Sequence, residues 1–557
     1  MYQSATESSR KERWSILARL ISEQMPSKVE VGFGILTAAL LILSFPNFDL
    51  WPLAWVGLVP LFIVIVRRPK VIPSFVTGWI AGAVFFYGTC YWLTYSMIRY
   101  GHIPAPIAYL LLAPLTIAVG IFPGIASAIL ARCVSRWGAR AILFAAIVWP
   151  AVEWIRFEIT GQLWNAVGYS QTFAFSGGQT APLIQAAAWG GVYAVSMLIA
   201  GFSASISLLF TDRKTESRTL AVIAVAGVII VLAVSMFAGR SRFEKARAES
   251  LKAPSADIIA IQPNVPMTPP ASLAASAELI QRHLQLSDAG LAKVASVSAD
   301  VPAPPRIVIW PESPMNFEYS EDNEFREFVS EFARSHNASI IFNSQEPSGA
   351  GYANSAIMLD SDGRLVQRYD KIQLLPFGEY VPVPRWIPGA QLIPTMVGDF
   401  TPGSSFPQMP LGSAGKAGIF ICFESAFPSI ARTFVKNGSD VLINISNDGY
   451  LGPTAVMRQH LANAIFRAVE NNRSVVRVTN TGITTLITPG GVALDQTNGF
   501  EPAVRTWRLP VSRTEMTFYT DYGDLVVWIC AVLTALVVGL SFTKTLIHKS
   551  AKKSTVG

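Results

Sequence analysis

Three polar side chains stand at the ends of apolar runs in the C-terminal half of this 557-residue chain. Cys422 ends KAGIFIC, Glu312 follows RIVIWP, and Lys371 follows RYD. A strand that stops on a polar residue delivers it to the rim of a sheet. A cysteine, a carboxylate and a lysine at one rim make a nucleophile with its own base and its own cation. A thiol attacks as the thiolate, and a nearby ammonium lowers its pKa; Lys371 is the candidate. A carboxylate beside the thiol accepts its proton and returns it to a leaving group, the role open to Glu312. The oxyanion of an acyl transfer needs donors, and the Lys371 ammonium and the backbone N–H of Phe423 are available. Glu379 is placed to keep Lys371 charged and oriented, and Glu424 belongs to the same supporting layer.

Each of these residues also has a plainer reading. Cys422 reads as a small core hydrophobe, Glu312 as a turn residue, and Lys371 as a surface lysine paired with Asp370. Residue types and spacing alone leave cysteine catalysis evenly balanced against these. No Cys/His spacing fits a zinc site, since His102, His283, His336, His460 and His548 are scattered. No cofactor is expected. Of the four cysteines, Cys90, Cys133 and Cys530 lie in or beside apolar spans, so Cys422 has no evident partner and no disulfide is expected.

The elements that must position these side chains alternate between strand and helix. Strands are expected at 258–264, 306–311 and 339–344, in a hairpin around Ser361-Asp362-Gly363, and at 416–422 and 441–446. SVVRVTN and ITTLITPGGVALDQ close the domain. Helices are expected near 272–295, 323–336, 428–437 and along MRQHLANAIFRAVENN, where apolar residues recur at helical spacing. This is a layered α/β domain over 255–515, with helices on sheet faces. The run Pro382–Pro407, with Trp386, Ile387 and Phe400, reads equally as an amphipathic lid and as an ordered surface loop.

Composition divides the chain. It is 51% hydrophobic and 15% charged, whereas a soluble domain carries roughly 25% charged residues. The apolar excess fills 31–239 and 525–547. Eight spans are expected at about 31–48, 51–66, 73–95, 105–131, 141–157, 183–210, 219–239 and 525–547. The first pair also reads as a re-entrant hairpin. Residues 1–30 and 548–557 are expected to be cytoplasmic tails. Arg67, Arg68 and Lys70, then Arg132, Arg136 and Arg140, then Arg213, Lys214 and Arg218 follow the even-numbered spans. That alternation puts both termini in the cytoplasm and the α/β domain on the outer side. It also explains the net charge of +7 without a nucleic-acid partner. Glu153 and Arg156 lie inside the fifth span, where charges are costly and tend to be functional. They read either as a satisfied pair or as a lipid-headgroup site, with Trp164 and Tyr169 of the following aromatic segment at headgroup level.

WPES, YDKIQLLPFGEYVP and ICFES, in this order, resemble the nitrilase superfamily and its Glu–Lys–Cys triad. Asn447-Asp448-Gly449, Gln459-His460 and the run Arg467 to Arg473 fit it as well. The resemblance implies an αββα sandwich. Seven spans before such a domain and one after it, with LLPFGEYVP, NTGIT and VWPAVEWIR…GYSQ, are similar to the apolipoprotein N-acyltransferase family of the bacterial inner membrane. That resemblance runs from about residue 31 to 547. It implies Glu312 as general base, Lys371 as partner of the oxyanion and thiolate, Cys422 as nucleophile, and Glu379 and Glu424 as supporting carboxylates. It further implies transfer of an acyl chain from a membrane phospholipid to a diacylated lipoprotein through a thioester on a monomeric enzyme. The sequence departs from the family at Met267, Phe423 and Tyr450-Leu451, which touches substrate detail. A membrane-tethered amidase or nitrilase is the alternative, and a ligand-binding scaffold without chemistry the one after it.

Overall fold

The computed structural model describes residues 24–554, apart from 162, 176–179, 251–252, 269–271, 296–303, 350, 377, 382–399 and 511–514. The described part forms two compact units. One holds the residues up to Gln171, Val192–Val234 and those from Asp524; the other holds Thr172–Gly191 and Ser235–Gly523. Most of the run read as a lid or loop, and residues 1–23 of the N-terminal tail, fall outside the described residues.

The second unit is the α/β domain. Its first sheet is ordered β12-β1-β2-β3-β4-β5. The strands are β1 (Ser255–Gln262), β2 (Arg306–Ile309), β3 (Ser339–Ser348), β4 (Gly351–Leu359), β5 (Leu365–Asp370) and β12 (Ala503–Pro510). Its second sheet is ordered β11-β10-β9-β8-β7-β6. These strands are β6 (Gln408–Pro410), β7 (Lys416–Ile421), β8 (Val441–Ser446), β9 (Val475–Thr479), β10 (Thr485–Ile487) and β11 (Ala493–Leu494). In each sheet three adjacent strands run parallel: β1–β2–β3 and β7–β8–β9. Buried on both faces, they read as near-continuous apolar runs, such as DIIAI and VLINI. The flanking strands are antiparallel.

Helices Leu273–Ala295 and Asn323–His336 cover the first sheet, and Pro428–Lys436 and Val456–Asn471 cover the second. The Asn323–His336 helix starts where Asp322 accepts the Phe325 N–H at 3.0 Å. It ends at Asn337 with φ +45°, a left-handed cap that Asn tolerates. Its inward face sets Phe325, Val329 and Phe332 against Trp310 and Phe342. The sheets meet at Gln262, whose Oε1 accepts from Thr479, Thr484 and Thr497 hydroxyls at 3.2, 2.9 and 2.8 Å. Residues 172–191 pack with this unit because Ala181 N–H and Gln185 Nε2 both donate to Gly490 O, at 2.9 and 3.0 Å.

Five helices among the described residues are long and apolar enough to cross a membrane: Val71–Thr89, Ala105–Trp137, Ala187–Thr211, Thr215–Ser250 and Leu525–Thr543. They match the third, fourth, sixth, seventh and eighth expected spans. The other three expected spans are shorter helices. Lys28–Ser44 has 17 residues, Pro52–Arg67 is interrupted at Leu58, and Ala145–Thr160 has 16 residues. In the first unit, Val71–Thr89 lies closely along Ala105–Trp137 because the contact is made of small residues. A Cβ at Gly78 would meet Ser127 Oγ at 2.1 Å, and one at Gly120 would meet Ala83 N at 2.5 Å.

Candidate active site

Cys422 follows β7 and opens the 3-10 turn Cys422–Ala426. Its φ is +53°, a left-handed conformation that costs a non-glycine residue about 1–3 kcal/mol and needs a surrounding structure to hold it. Glu312 lies just past β2, and Lys371 directly after β5. The two sheets thus bring the three residues together, Glu312 and Lys371 from the first and Cys422 from the second.

Lys371 is 1% exposed. Its Nζ is 2.9 Å from Glu379 Oε1 and 3.6 Å from Glu312 Oε1. Burial alone would push this ammonium down, but the two carboxylates outweigh it and hold Lys371 above the ordinary lysine value. The distances separate the two glutamates. Glu379 is buried and also accepts the Leu375 N–H at 2.8 Å, so it is a fixed strut. Glu312 is beyond a good hydrogen bond to Nζ and its side chain is 14% exposed, so it has the freedom that proton transfer requires.

Asn354, on β4, joins the pair. Its Nδ2 donates to Glu312 Oε1 at 3.0 Å and to Glu379 Oε1 at 2.7 Å. Asn343 on β3 orients it by donating to Asn354 Oδ1 at 2.7 Å. Neither was a sequence candidate. The available signal was an amide within an otherwise apolar strand, in SIIFNS and in YANSAIML.

Glu424 has a different part. Its Oε1 accepts from the Tyr369 hydroxyl at 2.7 Å and from the N–H groups of Ile372 and Gln373 at 2.7 and 3.1 Å. Its Oε2 accepts the Ile421 N–H at 2.7 Å. Burial pushes this carboxyl up while those donors pull it down. Glu424 therefore ties the segment after Lys371 to the turn that carries Cys422. Phe423 is buried edge-on against Phe427, with ring centroids 5.4 Å apart.

Lys371 pulls the thiol down, as expected, but it does not win. Burial and the Glu312 charge push the Cys422 thiol well up, and Lys371 offsets only part of this. The balance favours the thiol form of Cys422 over the thiolate.

Glu153, Arg156, Trp164 and Tyr169 belong to the first unit. Glu153 accepts from Trp149 Nε1 at 3.1 Å and Val167 N–H at 2.8 Å, and Arg156 donates to Trp164 O at 3.0 Å. Trp164 and Tyr169 are 8% and 3% exposed. The chain after this helix folds inward because buried charges must be satisfied, and it brings these rings with it.

The family model for the apolipoprotein N-acyltransferase N-terminal domain matches residues 37–205, and that for the carbon-nitrogen hydrolase matches 261–517. An apolipoprotein N-acyltransferase of Geobacter metallireducens is 31% identical over 521 residues, covering 92% of this chain and 96% of that protein. The chain belongs to the apolipoprotein N-acyltransferase family. A second such protein, from Rhodopseudomonas palustris, is 27% identical, covering 91% of this chain and 94% of its own. Among solved structures, Nit3 of Saccharomyces cerevisiae, a nitrilase-superfamily member, is 15% identical with a TM-score of 0.36, covering 46% of this chain and 90% of its own.

Proposed function

We propose that this acyltransferase takes a fatty acyl chain from a membrane phospholipid onto Cys422 and passes it to the α-amino group of a diacylglyceryl-cysteine at a lipoprotein N-terminus. The observation that carries the reading is a neutral, half-buried thiol facing a loosely held Glu312 and a tightly held Lys371, in a chain of this family.

In the first half-reaction Glu312 takes the thiol proton as sulfur attacks the ester carbonyl. The C–S bond forms, and the oxyanion is met by the Lys371 ammonium and the Phe423 N–H. Collapse breaks the ester C–O bond. Glu312 gives its proton to the departing oxygen, so the lysophospholipid leaves as an alcohol. In the second half the free amine attacks the thioester, Glu312 accepts a proton from it, and the C–S bond breaks. The proton passes back to sulfur, and Cys422 is restored. The steps balance without an added co-reactant.

Both substrates are anchored in a bilayer, so an enzyme held there meets them at high local concentration. The proposal includes eight spans, both termini in the cytoplasm, the α/β domain on the periplasmic side, and a monomer. It is tested with a phospholipid carrying a labelled acyl chain and a synthetic diacylglyceryl-cysteinyl peptide. The reading predicts label on the peptide amine and one lysophospholipid per N-acyl peptide. Label released only as free fatty acid, with the peptide unmodified, would make the protein a hydrolase.

A further inference from the structure

His460 lies on the helix Val456–Asn471 and is 4% exposed. Its Nε2 is 2.9 Å from the Cys422 carbonyl oxygen, and its Nδ1 is 2.7 Å from Asp448 Oδ1. A backbone carbonyl only accepts, and an ionised carboxylate only accepts. Asp448 is ionised: burial pushes its carboxyl up, but His460 and Arg477 outweigh this and hold it below the ordinary value. The contact with the Cys422 carbonyl is therefore one in which Nε2 is the donor. Behind the ring, Arg477 Nη2 donates to Asp448 Oδ2 at 3.0 Å, and Arg477 also donates to Asn444 Oδ1. The chain passes from β9 and β8 to the nucleophile's own peptide with every member buried. Gly482 gives it room, since a Cβ there would meet Asp448 Oδ2 at 2.1 Å.

We propose that His460, held between Asp448 and the Cys422 carbonyl, is a positioning residue that holds the nucleophile in its left-handed conformation. The same helix repeats the grip two turns on, where Arg467 Nη1 donates to Ser425 O at 3.0 Å. The 3-10 turn is thus pinned at its first and fourth carbonyls from one helix face. The ring faces Asp448, with Arg477 behind it. The thiol of the peptide it holds is influenced by Glu312, Lys371 and Glu379 from the other sheet, while Glu424 of the same turn points to Tyr369 and the Ile372 N–H. Loss of the contact that Nε2 makes at 2.9 Å would release the carbonyl and with it the geometry of attack.

The inference rests on Cys422 as nucleophile, so the test reads that cysteine directly. The full-length protein is treated with iodoacetamide between pH 5.5 and 9.5, and modification of Cys422 is followed by mass spectrometry. His460→Gln and Asp448→Asn are compared with the wild type, counting only folded protein. The expected result is a fall of at least tenfold at pH 7 in both variants. Wild-type rates and an unchanged profile in the folded variants would overturn the brace. A wild-type Cys422 that is folded but inert would instead overturn its reading as the nucleophile.

Discussion

In the proposed reaction the Cys422 thiol needs a base, so Glu312 is the residue on which the rate depends most. Glu312→Gln keeps the shape and the Asn354 contact but removes the proton acceptor. Acyl-enzyme formation is expected to fall by about 10²–10⁴-fold, with little change in the thermal unfolding midpoint, as checked by rapid-quench mass analysis. Lys371→Met leaves Glu379 buried without its cation. Losing one partner of a buried pair costs about 3–5 kcal/mol, so this variant loses both stability and activity in a denaturant titration and a transfer assay. That Glu312, Lys371 and Cys422 meet was legible in the sequence because each ends an apolar run and sits in a longer motif. Asn354 was not, and for His460 only the motif was, since a lone amide in a strand and a histidine in a helix acquire their contacts only when partners distant in sequence meet them.

Among the elements, β7 is the one that delivers the nucleophile, and its helix packs on it without slack. A Cβ at Gly418 would lie 2.5 Å from Phe434 Cβ, and Phe434 is fully buried. Gly418→Ala is expected to destabilise by about 1–3 kcal/mol through overpacking, lowering the unfolding midpoint and the rate of Cys422 alkylation together. The link from β8 to the nucleophile turn gives a pH dependence. Asp448 has a depressed folded pKa. Its stabilisation is therefore present above the unfolded value of about 3.9 and lost as pH falls through the folded value. Wild-type unfolding midpoints should drop more steeply below about pH 5 than those of Asp448→Asn, measured by scanning fluorimetry. The parallel strands and four covering helices were legible because apolar runs and helical spacing mark them. The edge strands β12 and β6 were not. AVRTWRLP is interrupted by arginines that an edge position tolerates, and QMP is too short to carry a period.

For the whole molecule, the division into an apolar part and an α/β domain was legible from composition, and the family from motifs. The span count was less so, since three expected spans are helices of 17 residues or fewer or are broken. Topology is tested by placing cysteines at exposed Asp362 and Arg213 and labelling spheroplasts with a membrane-impermeant maleimide. Asp362→Cys should react without permeabilisation and Arg213→Cys only after it; the opposite pattern would invert the orientation. An enzyme working at a lipid surface should also respond to the mole fraction of phospholipid in mixed micelles rather than to its bulk concentration, which a dilution series at constant bulk lipid measures.

The most direct measurement is the intact mass of the full-length protein after incubation with phospholipid, wild type beside Cys422→Ala. The account predicts one fatty-acyl increment on the wild type, removed by neutral hydroxylamine and absent from the variant. An unmodified wild type whose Cys422 still reacts with a thiol reagent, or an increment that survives in Cys422→Ala, would contradict it.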